Sequence, residues 1–278
     1  MPKDRAMSLL THRSLYLQRL GYDVPPAPTL QTLQDLQLRH VCTFAFESLS
    51  TLMHLPVPID LPSLEQKVLL DGRGGYCYEL NQLFLALLQD LGFDVRGITG
   101  NVVMGGPPDA HTSRTHRLSL IKLDGVRYIS DVGFGGMVPS SPLRLDTEAV
   151  QATAHEPYRL TFNEDRYTLW VQINQEWRGL YVFDLQWQER IDYEIGNWYV
   201  ANHPDSPFLG QLKVARLAPG KRHTLNNADY AVHYLDRPSE KRTFESADEL
   251  LTVLSETFGI RVPVSAQLRL ALQGLVTA

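Results

Sequence analysis

The apolar residues of this chain change their spacing about a third of the way along, and this change limits the possible folds more than any other feature. Up to about residue 92 the spacing is mostly helical. Leu80, Phe84, Leu87 and Leu91 recur at steps of four, three and four residues. That pattern predicts an amphipathic helix that ends near Gly92.

The middle of the chain instead contains a series of short segments with the two-residue alternation of strands, including RLSLIKL, VRYISDV, YTLWVQI and LYVFDL. An Asp-Gly pair between the first two is a typical hairpin turn. Strands that follow one another without intervening helices predict a sandwich or a barrel rather than alternating βα units. The last part is mixed in character. We therefore predict an α+β fold in three segments, residues 1–92, 93–195 and 196–278.

Three helix starts carry the pattern of a capping box, in which a Ser or Thr is followed three residues later by an acid or an amide. The predicted caps are Thr32, Ser63 and Ser246. The helix after Ser246 is predicted to reach about Phe258, just before Gly259.

Composition and charge exclude several classes of protein. The chain is 44% hydrophobic and 21% charged, which is typical of an ordinary soluble globular protein. A formal net charge of −5 without a basic run argues against binding to nucleic acid or to an anionic membrane. The N-terminus lacks the pattern of a signal peptide, and the apolar run LFLALL is too short to cross a bilayer. With two cysteines and no CxxC pair, the protein is predicted to be cytoplasmic with reduced thiols.

One of the two cysteines, Cys77, lies where a turn meets a predicted helix. Gly74 and Gly75 precede it and permit a tight turn. The start of a helix favours negative charge, so a cysteine there is a candidate thiolate nucleophile. Simple packing explains a lone cysteine about as well. Cys42 has no comparable surroundings and is interpreted as a packing residue.

The hairpin in the middle of the chain predicts a histidine–aspartate pair. If the Asp-Gly dipeptide forms a two-residue turn, Leu118 lies opposite Asp131 and His116 lies opposite Gly133. Side chains alternate along a strand, so His116 and Asp131 share one face as diagonal neighbours, about 7–8 Å apart at Cα. The glycine would leave room beside the imidazole.

Each member of this pair, taken singly, is also compatible with a purely structural role. His116 could be a packed strand histidine, and Asp131 a strand-end cap. A metal site is a further alternative because His111 and His116 are close in sequence. No cysteine or carboxylate stands at ligand spacing, so the zinc signal is weak and we predict no metal.

Several motifs in the chain resemble those of the arylamine N-acetyltransferases. They are RGGYCYELN (73–81), TH (115–116), DVGFGG (131–136), YLQRLGY (16–22), PTL (28–30) and HPDSPF (203–208). The resemblance implies a cysteine-protease-like helical bundle, then a β-barrel, then a small α/β lid.

The resemblance also implies ping-pong acetyl transfer in xenobiotic metabolism. Cys77 would attack the thioester of acetyl-CoA, His116 would shuttle the proton, and Asp131 would orient the imidazole. A small aromatic amine or hydrazine would then accept the acetyl group. Without the family motifs, a cysteine hydrolase or amidase with the same triad is the alternative enzyme. A binding protein in which Cys77 is merely packed is the alternative outside catalysis.

Further site residues follow from the same resemblance. Phe46 and Phe134 would line the pocket for the acyl group and the aromatic substrate. Thr115, Gly135 and Phe208 would lie along the path of CoA.

Some positions depart from the family pattern or are only loosely defined by it. Ser48 stands where the family commonly has Asn. Arg117 stands where an apolar residue is common, and on a strand it should point away from the catalytic histidine. Arg73 and Glu79 are predicted to form an internal ion pair. Candidates for the CoA phosphates are Lys213, Arg216, Lys221 and Arg222. The oligomeric state stays open.

Overall fold

Helices dominate both ends of the chain. The computed structural model describes residues 8–262 and 265–277. Within them the α-helices are α1 (Arg13–Arg19), α2 (Leu30–Thr43), α3 (Leu49–Leu52), α4 (Leu61–Leu64), α5 (Cys77–Asp90), α6 (Arg190–Asn202), α7 (Ala247–Glu256) and α8 (Ala266–Val276). A π-helical segment, Glu65–Leu70, continues α4.

Strands occupy most of the middle of the chain. They are β1 (Phe46–Glu47), β2 (Asp94–Val102), β3 (Arg114–Leu123), β4 (Val126–Ser130), β5 (Leu143–Arg144), β6 (Tyr158–Asn163), β7 (Arg166–Ile173), β8 (Glu176–Phe183), β9 (Lys213–Ala218), β10 (Lys221–Asn226), β11 (Asp229–Tyr234) and β12 (Glu240–Thr243). This mixture of helix and sheet confirms the predicted α+β class.

The helical part is built around α5, which ends close to the predicted position. Leu80, Leu83, Phe84 and Leu87 are fully buried and pack against α1, α2 and the segment that follows α4. Burial of a Leu or Phe side chain contributes about 1.5–3 kcal/mol, so this core stabilises the helix that begins at Cys77.

Two of the three predicted helix caps were placed one turn too late. The cap of α2 is Thr29, whose hydroxyl accepts the N–H of Thr32 at 3.2 Å. The cap of α4 is Asp60, whose carboxylate accepts the N–H of Ser63 at 3.0 Å. In both cases the residue predicted to cap is the third helical residue, whose own N–H is the group that needs a partner. The third prediction is confirmed, because Ser246 caps α7.

A seven-stranded antiparallel sheet in the order β5-β4-β3-β2-β8-β7-β6 forms a barrel-like layer. The predicted hairpin register is confirmed from Leu123↔Val126 back to Ser119↔Ser130. The pairing then ends, because the chain leaves the sheet after Ser130. The predictions that Leu118 lies opposite Asp131 and His116 opposite Gly133 are therefore wrong. On its other edge β3 pairs with β2, where His116 lies opposite Gly100.

A second, five-stranded antiparallel sheet has the order β1-β9-β10-β11-β12. Its first strand comes from the helical part of the chain, while the others follow residue 212. Helices α7 and α8 cover this sheet through Leu250, Leu254 and Leu268, and α6 packs on β3. The division into three segments at residues 92 and 195 stays a prediction. Among the described residues, no helix is both long and apolar enough to cross a membrane.

Candidate active site

A cavity of about 670 Å³ lies where the helical part, the barrel-like sheet and the second sheet meet. Seven of the eight side chains and glycines singled out from the sequence line it: Phe46, Cys77, Thr115, His116, Phe134, Gly135 and Phe208. The eighth, Asp131, is fully buried behind His116. One cavity thus collects residues that are up to 162 positions apart in the chain.

Cys77 is the first residue of α5 and is only 4% exposed. Its thiol donates to the carbonyl oxygen of Thr115 at 3.7 Å. Gly74 and Gly75 lead into the helix with ordinary negative φ, so left-handed backbone is not the reason for them. A Cβ on Gly75 would lie 2.8 Å from Cβ of Glu79, and one on Gly74 would meet the carbonyl of Ala45. The two glycines permit close approach of neighbouring chain.

The first turns of α5 are attached directly to β3. In addition to the thiol, the Tyr78 hydroxyl donates to the carbonyl of Arg114 at 3.2 Å. The Asn81 amide donates to the carbonyl of Arg117 at 2.6 Å. These contacts hold the start of the helix against the strand that carries His116.

His116 and Asp131 form the pair that the hairpin predicted. Nε2 of His116 lies 2.7 Å from Oδ2 of Asp131, and both side chains are buried. The aspartate also accepts hydrogen bonds from Asn81 Nδ2 at 2.9 Å, the Gly133 N–H at 2.9 Å and the Tyr181 hydroxyl at 3.0 Å. Because Nε2 is committed to Asp131, Nδ1 is the ring nitrogen left for Cys77.

The electrostatics of this pair favour an ionised state. Burial acts to lower the pKa of His116, but the charge and hydrogen bond of Asp131, with a smaller contribution from Cys77, raise it to about 10. Burial acts to raise the pKa of Asp131, while His116, Asn81 and the Gly133 N–H lower it below the usual range. An imidazolium is therefore expected beside the thiol at neutral pH.

Gly133 lies against the helix start rather than beside the imidazole. A Cβ there would be 2.7 Å from Cα of Cys77 and 2.8 Å from Nδ2 of Asn81. The next residue, Phe134, packs its ring at 4.9 Å from that of His116, centroid to centroid, in an edge-on arrangement. Gly133 and Phe134 therefore pack the segment after Asp131 closely against the start of α5 and against the imidazole of His116.

Four charged side chains lie beneath the turn that precedes Cys77, and their pairing differs from the prediction. Arg73 pairs with Glu47 at 2.7 Å, and Lys67 pairs with Glu79 at 2.6 Å. The predicted Arg73–Glu79 pair is wrong. Burial raises the pKa of Glu79, which Lys67 partly offsets. The Glu79 carboxylate also accepts a hydrogen bond from the Tyr76 N–H at 3.0 Å, which stabilises the turn before Cys77.

Ser48, which departs from the family pattern, has a clear role in the fold. Its hydroxyl donates to the Gln211 carbonyl at 2.8 Å and accepts the Lys213 N–H at 2.8 Å. It therefore ties the segment after β1 to the start of β9.

The four candidate cations for phosphate occupy different places. Lys213 lines the cavity, with its ammonium 3.3 Å from Oδ1 of Asn226. Arg216, Lys221 and Arg222 are not among the lining residues. Lys221 lies over a tyrosine ring, and Arg222 forms a buried ion pair with Glu156. No group of three or more His, Cys, Asp or Glu within residues 8–262 and 265–277 is arranged to hold a metal.

Two residues of the site were missed from the sequence alone. Asn81 lies one helical turn after Cys77, so its spacing could have identified it as a residue on the same helix face. Tyr181 comes from β8, fifty residues beyond Asp131, and has no local signal.

Comparisons with known proteins show the family of the chain. The family model described as N-acetyltransferase matches residues 29–267. The arylamine N-acetyltransferase of Escherichia coli (strain K12) is 38% identical over 248 residues, covering 89% of this chain and 88% of the relative. That of Mycolicibacterium smegmatis is 40% identical over 249 residues, covering 88% and 90%.

A solved structure, the arylamine N-acetyltransferase of Mycobacterium marinum in complex with CoA, superposes with a TM-score of 0.89. It is 37% identical and covers 94% of this chain and 98% of that one. The fold and these relatives together define an acyltransferase. The chain belongs to the arylamine N-acetyltransferase family, which confirms the resemblance carried by its motifs.

Proposed function

We propose that this protein transfers the acetyl group of acetyl-CoA to the nitrogen of an aromatic amine or hydrazine through an acetyl-cysteine at Cys77. The observation that carries the proposal is the meeting of Cys77 with the His116–Asp131 pair at one cavity. A thiol, an imidazole and an orienting carboxylate form the arrangement that activates a cysteine nucleophile.

In the first half-reaction the thiolate of Cys77 attacks the thioester carbonyl of acetyl-CoA. A C–S bond to Cys77 forms and the C–S bond to CoA breaks. His116 gives its proton to the departing CoA thiolate, and Asp131 holds the ring with Nδ1 toward the sulfur. Transfer between two thioesters is nearly isoenergetic, so the acetyl group is not held irreversibly on either CoA or Cys77.

In the second half-reaction the amine nitrogen attacks the acetyl carbonyl. His116 accepts the proton of the amine, an amide forms, and the thiolate of Cys77 leaves. One nucleophile and one base therefore serve both halves, as ping-pong transfer requires.

The walls of the cavity fit the two substrates. Phe46 and Phe134 offer ring faces to an aromatic amine. Thr115, Gly135 and Phe208 line the path assigned to CoA. Of the four candidate cations, Lys213 is the one that lines the cavity, so it is the candidate for binding the CoA phosphates. The structure of the related M. marinum protein in complex with CoA supports CoA as a substrate.

Mass spectrometry of the protein after mixing with acetyl-CoA tests the proposal. We expect an acetyl adduct on Cys77 that is absent from Cys77→Ala and greatly reduced in His116→Ala. Cys42→Ala is the matched control and should be acetylated normally, because Cys42 lies outside the cavity lining. No adduct on the wild type would reject the acetyl-cysteine intermediate.

The same reaction separates transfer from hydrolysis. We expect CoA release to stop after one equivalent until an aromatic amine is added. Continuous CoA release without an amine would favour the hydrolase alternative. The cytoplasmic location and the role in xenobiotic metabolism stay predictions.

A further inference from the structure

One buried arginine beside the site forms no ion pair with a carboxylate of the described residues. Among the residues that the structure describes, two arginines are buried, Arg117 at 4% and Arg222 at 6% exposure. Arg222 pairs with Glu156. Within the same described residues, Arg117 has no carboxylate oxygen within 4 Å, and its Nε has no hydrogen-bond partner. Burying a charge without a partner costs free energy, so the position of Arg117 needs a functional or structural explanation.

The surroundings of Arg117 join β3, α5 and α6. It follows His116 on β3, and its guanidinium lies 3.9 Å from the ring centroid of Tyr193 on α6. Gly97 on β2 leaves space for both groups, since a Cβ there would be 3.3 Å from Nη2 of Arg117. The carbonyl of Arg117 accepts the Asn81 amide at 2.6 Å. Tyr193 belongs to the same buried cluster as Cys77 and Tyr78, so the guanidinium lies against the cluster that contains the thiol.

The carboxylates around the site have cations of their own. Glu47 pairs with Arg73, Glu79 with Lys67, and Asp131 with His116. If Cys77 is a thiolate, the thiolate, the imidazolium and the carboxylate together carry one net negative charge. The charge of Arg117 would balance it and leave the buried group neutral.

We propose that Arg117 is a positioning residue whose fixed positive charge stabilises the thiolate form of Cys77. The inference rests on the proposed function, because it requires Cys77 to react as a thiolate.

Ionisation of the neighbouring groups supports this role. Burial lowers the pKa of Arg117 to about 10, with Tyr193, Tyr78 and Cys77 opposing the shift, so the guanidinium stays charged at neutral pH. Burial raises the pKa of both tyrosines, which are therefore neutral. The two tyrosines are therefore not the anions that the charge balances, which leaves Cys77. Cys77 also interacts with His116, which Asp131 keeps protonated.

The test is the pH profile of Cys77 alkylation by iodoacetamide, a neutral reagent whose approach does not depend on local charge. In Arg117→Met we expect alkylation at pH 6 to slow by about tenfold, the effect of one pKa unit. The slowing should be smaller at pH 9 than at pH 6, since a fixed charge acts on the balance between thiol and thiolate and adds less as alkali itself favours the thiolate. Arg117→Lys should keep the wild-type profile because it keeps the charge.

Arg159→Met is the matched control. Arg159 also stacks on an aromatic ring, with its guanidinium 4.5 Å from the centroid of Trp177, and its Nε is also buried without a partner. Arg159 lies on β6, an edge strand of the seven-stranded sheet that β2, β8 and β7 separate from β3, so its replacement should leave the profile unchanged.

Two results would overturn the role of Arg117. One is a profile of Arg117→Met that superimposes on the wild type. The other is an equal slowing at every pH, which is what a purely structural residue would cause. Arg117→Gln, which preserves more polarity, replaces the methionine variant if thermal melting shows that the latter does not fold.

Acetyl-adduct formation by the wild type, measured in parallel, separates the two proposals. An absent adduct rejects the proposed function. A normal adduct together with an unchanged Arg117→Met profile rejects only the inference about Arg117.

Discussion

Asp131 is the most heavily hydrogen-bonded side chain of the site. Its two oxygens accept hydrogen bonds from the His116 ring, the Asn81 amide, the Tyr181 hydroxyl and the Gly133 N–H. Donors of this kind stabilise a carboxylate in a buried place, and they also fix the direction in which it holds the imidazole. The donors come from three different elements, so the orientation of His116 depends on all of them.

Removal of the Tyr181 hydroxyl is expected to slow catalysis without unfolding the protein. Tyr181→Phe deletes one hydrogen bond to a charged acceptor, a bond worth about 1.5–3 kcal/mol. We expect the rate of Cys77 acetylation to fall about tenfold or more, while the KM for acetyl-CoA changes little. Single-turnover kinetics measures both.

Tyr158→Phe is the control for that experiment. Tyr158 is equally buried, but its hydroxyl donates to the Met137 carbonyl at 3.1 Å and not to the triad. If the two variants lose rate to the same degree, the hydrogen bond to Asp131 has no special role.

The contact between α5 and the end of β4 is what brings the thiol to the histidine. The Val132 N–H donates to Oδ1 of Asn81 at 3.0 Å, and the Asn81 amide contacts both Asp131 and the carbonyl of Arg117. Gly133 lies against Cα of Cys77. The end of β4 is therefore joined to the helix by one amide side chain and by one close backbone contact, in addition to the contacts of the Cys77 thiol and the Tyr78 hydroxyl with β3.

Gly133→Ala should disturb this contact directly. The new methyl group would lie 2.7 Å from Cα of Cys77, a backbone atom that cannot move without the helix start. Overpacking of this kind costs about 1–3 kcal/mol. We expect a lower free energy of unfolding and a strong loss of acetylation, measured by urea denaturation and by mass spectrometry.

Gly274→Ala tests whether any glycine replacement has this effect. Gly274 lies within α8, and a Cβ there meets nothing within 4 Å. An alanine should stabilise the protein by about 0.5–1 kcal/mol. A Gly133→Ala variant as stable and active as this control would contradict the close contact.

Across the whole molecule, the ionised His116–Asp131 pair links stability to pH. The pKa of His116 rises from an ordinary 6.5 to about 10 on folding. The contribution is fully present below pH 6.5 and is lost as the pH rises through about 10, because only the folded state holds the proton in that window. The lowered pKa of Asp131 acts in the opposite direction, and its contribution is lost in acid.

Comparison of the wild type with His116→Gln measures this contribution. Between pH 7 and pH 9 the free energy of unfolding of the wild type should fall more steeply, by up to about 1.4 kcal/mol per pH unit. Urea denaturation at several pH values gives both slopes. Parallel curves for the two proteins would mean that His116 gains no proton on folding.

The sequence predicted some contacts well because they are local. A two-residue turn sets the register of β3 and β4 up to Ser119↔Ser130, which places Asp131 just beyond the paired strand and within reach of His116. Contacts between distant segments could not be predicted in that way. Arg73 and Glu79 are close in sequence but pair with Glu47 and Lys67 instead, because the fold determines which opposite charge each side chain meets.

The sequence by itself determined the class of fold, the helix that begins at Cys77 and the histidine–aspartate pair of the hairpin. Each of these depends on spacing within one element or across one turn. Only the tertiary structure decided that Cys77 meets this pair, that Tyr181 supports Asp131, and that Arg117 is buried without an acid. These contacts depend on packing between elements, for which a single chain gives no periodic signal.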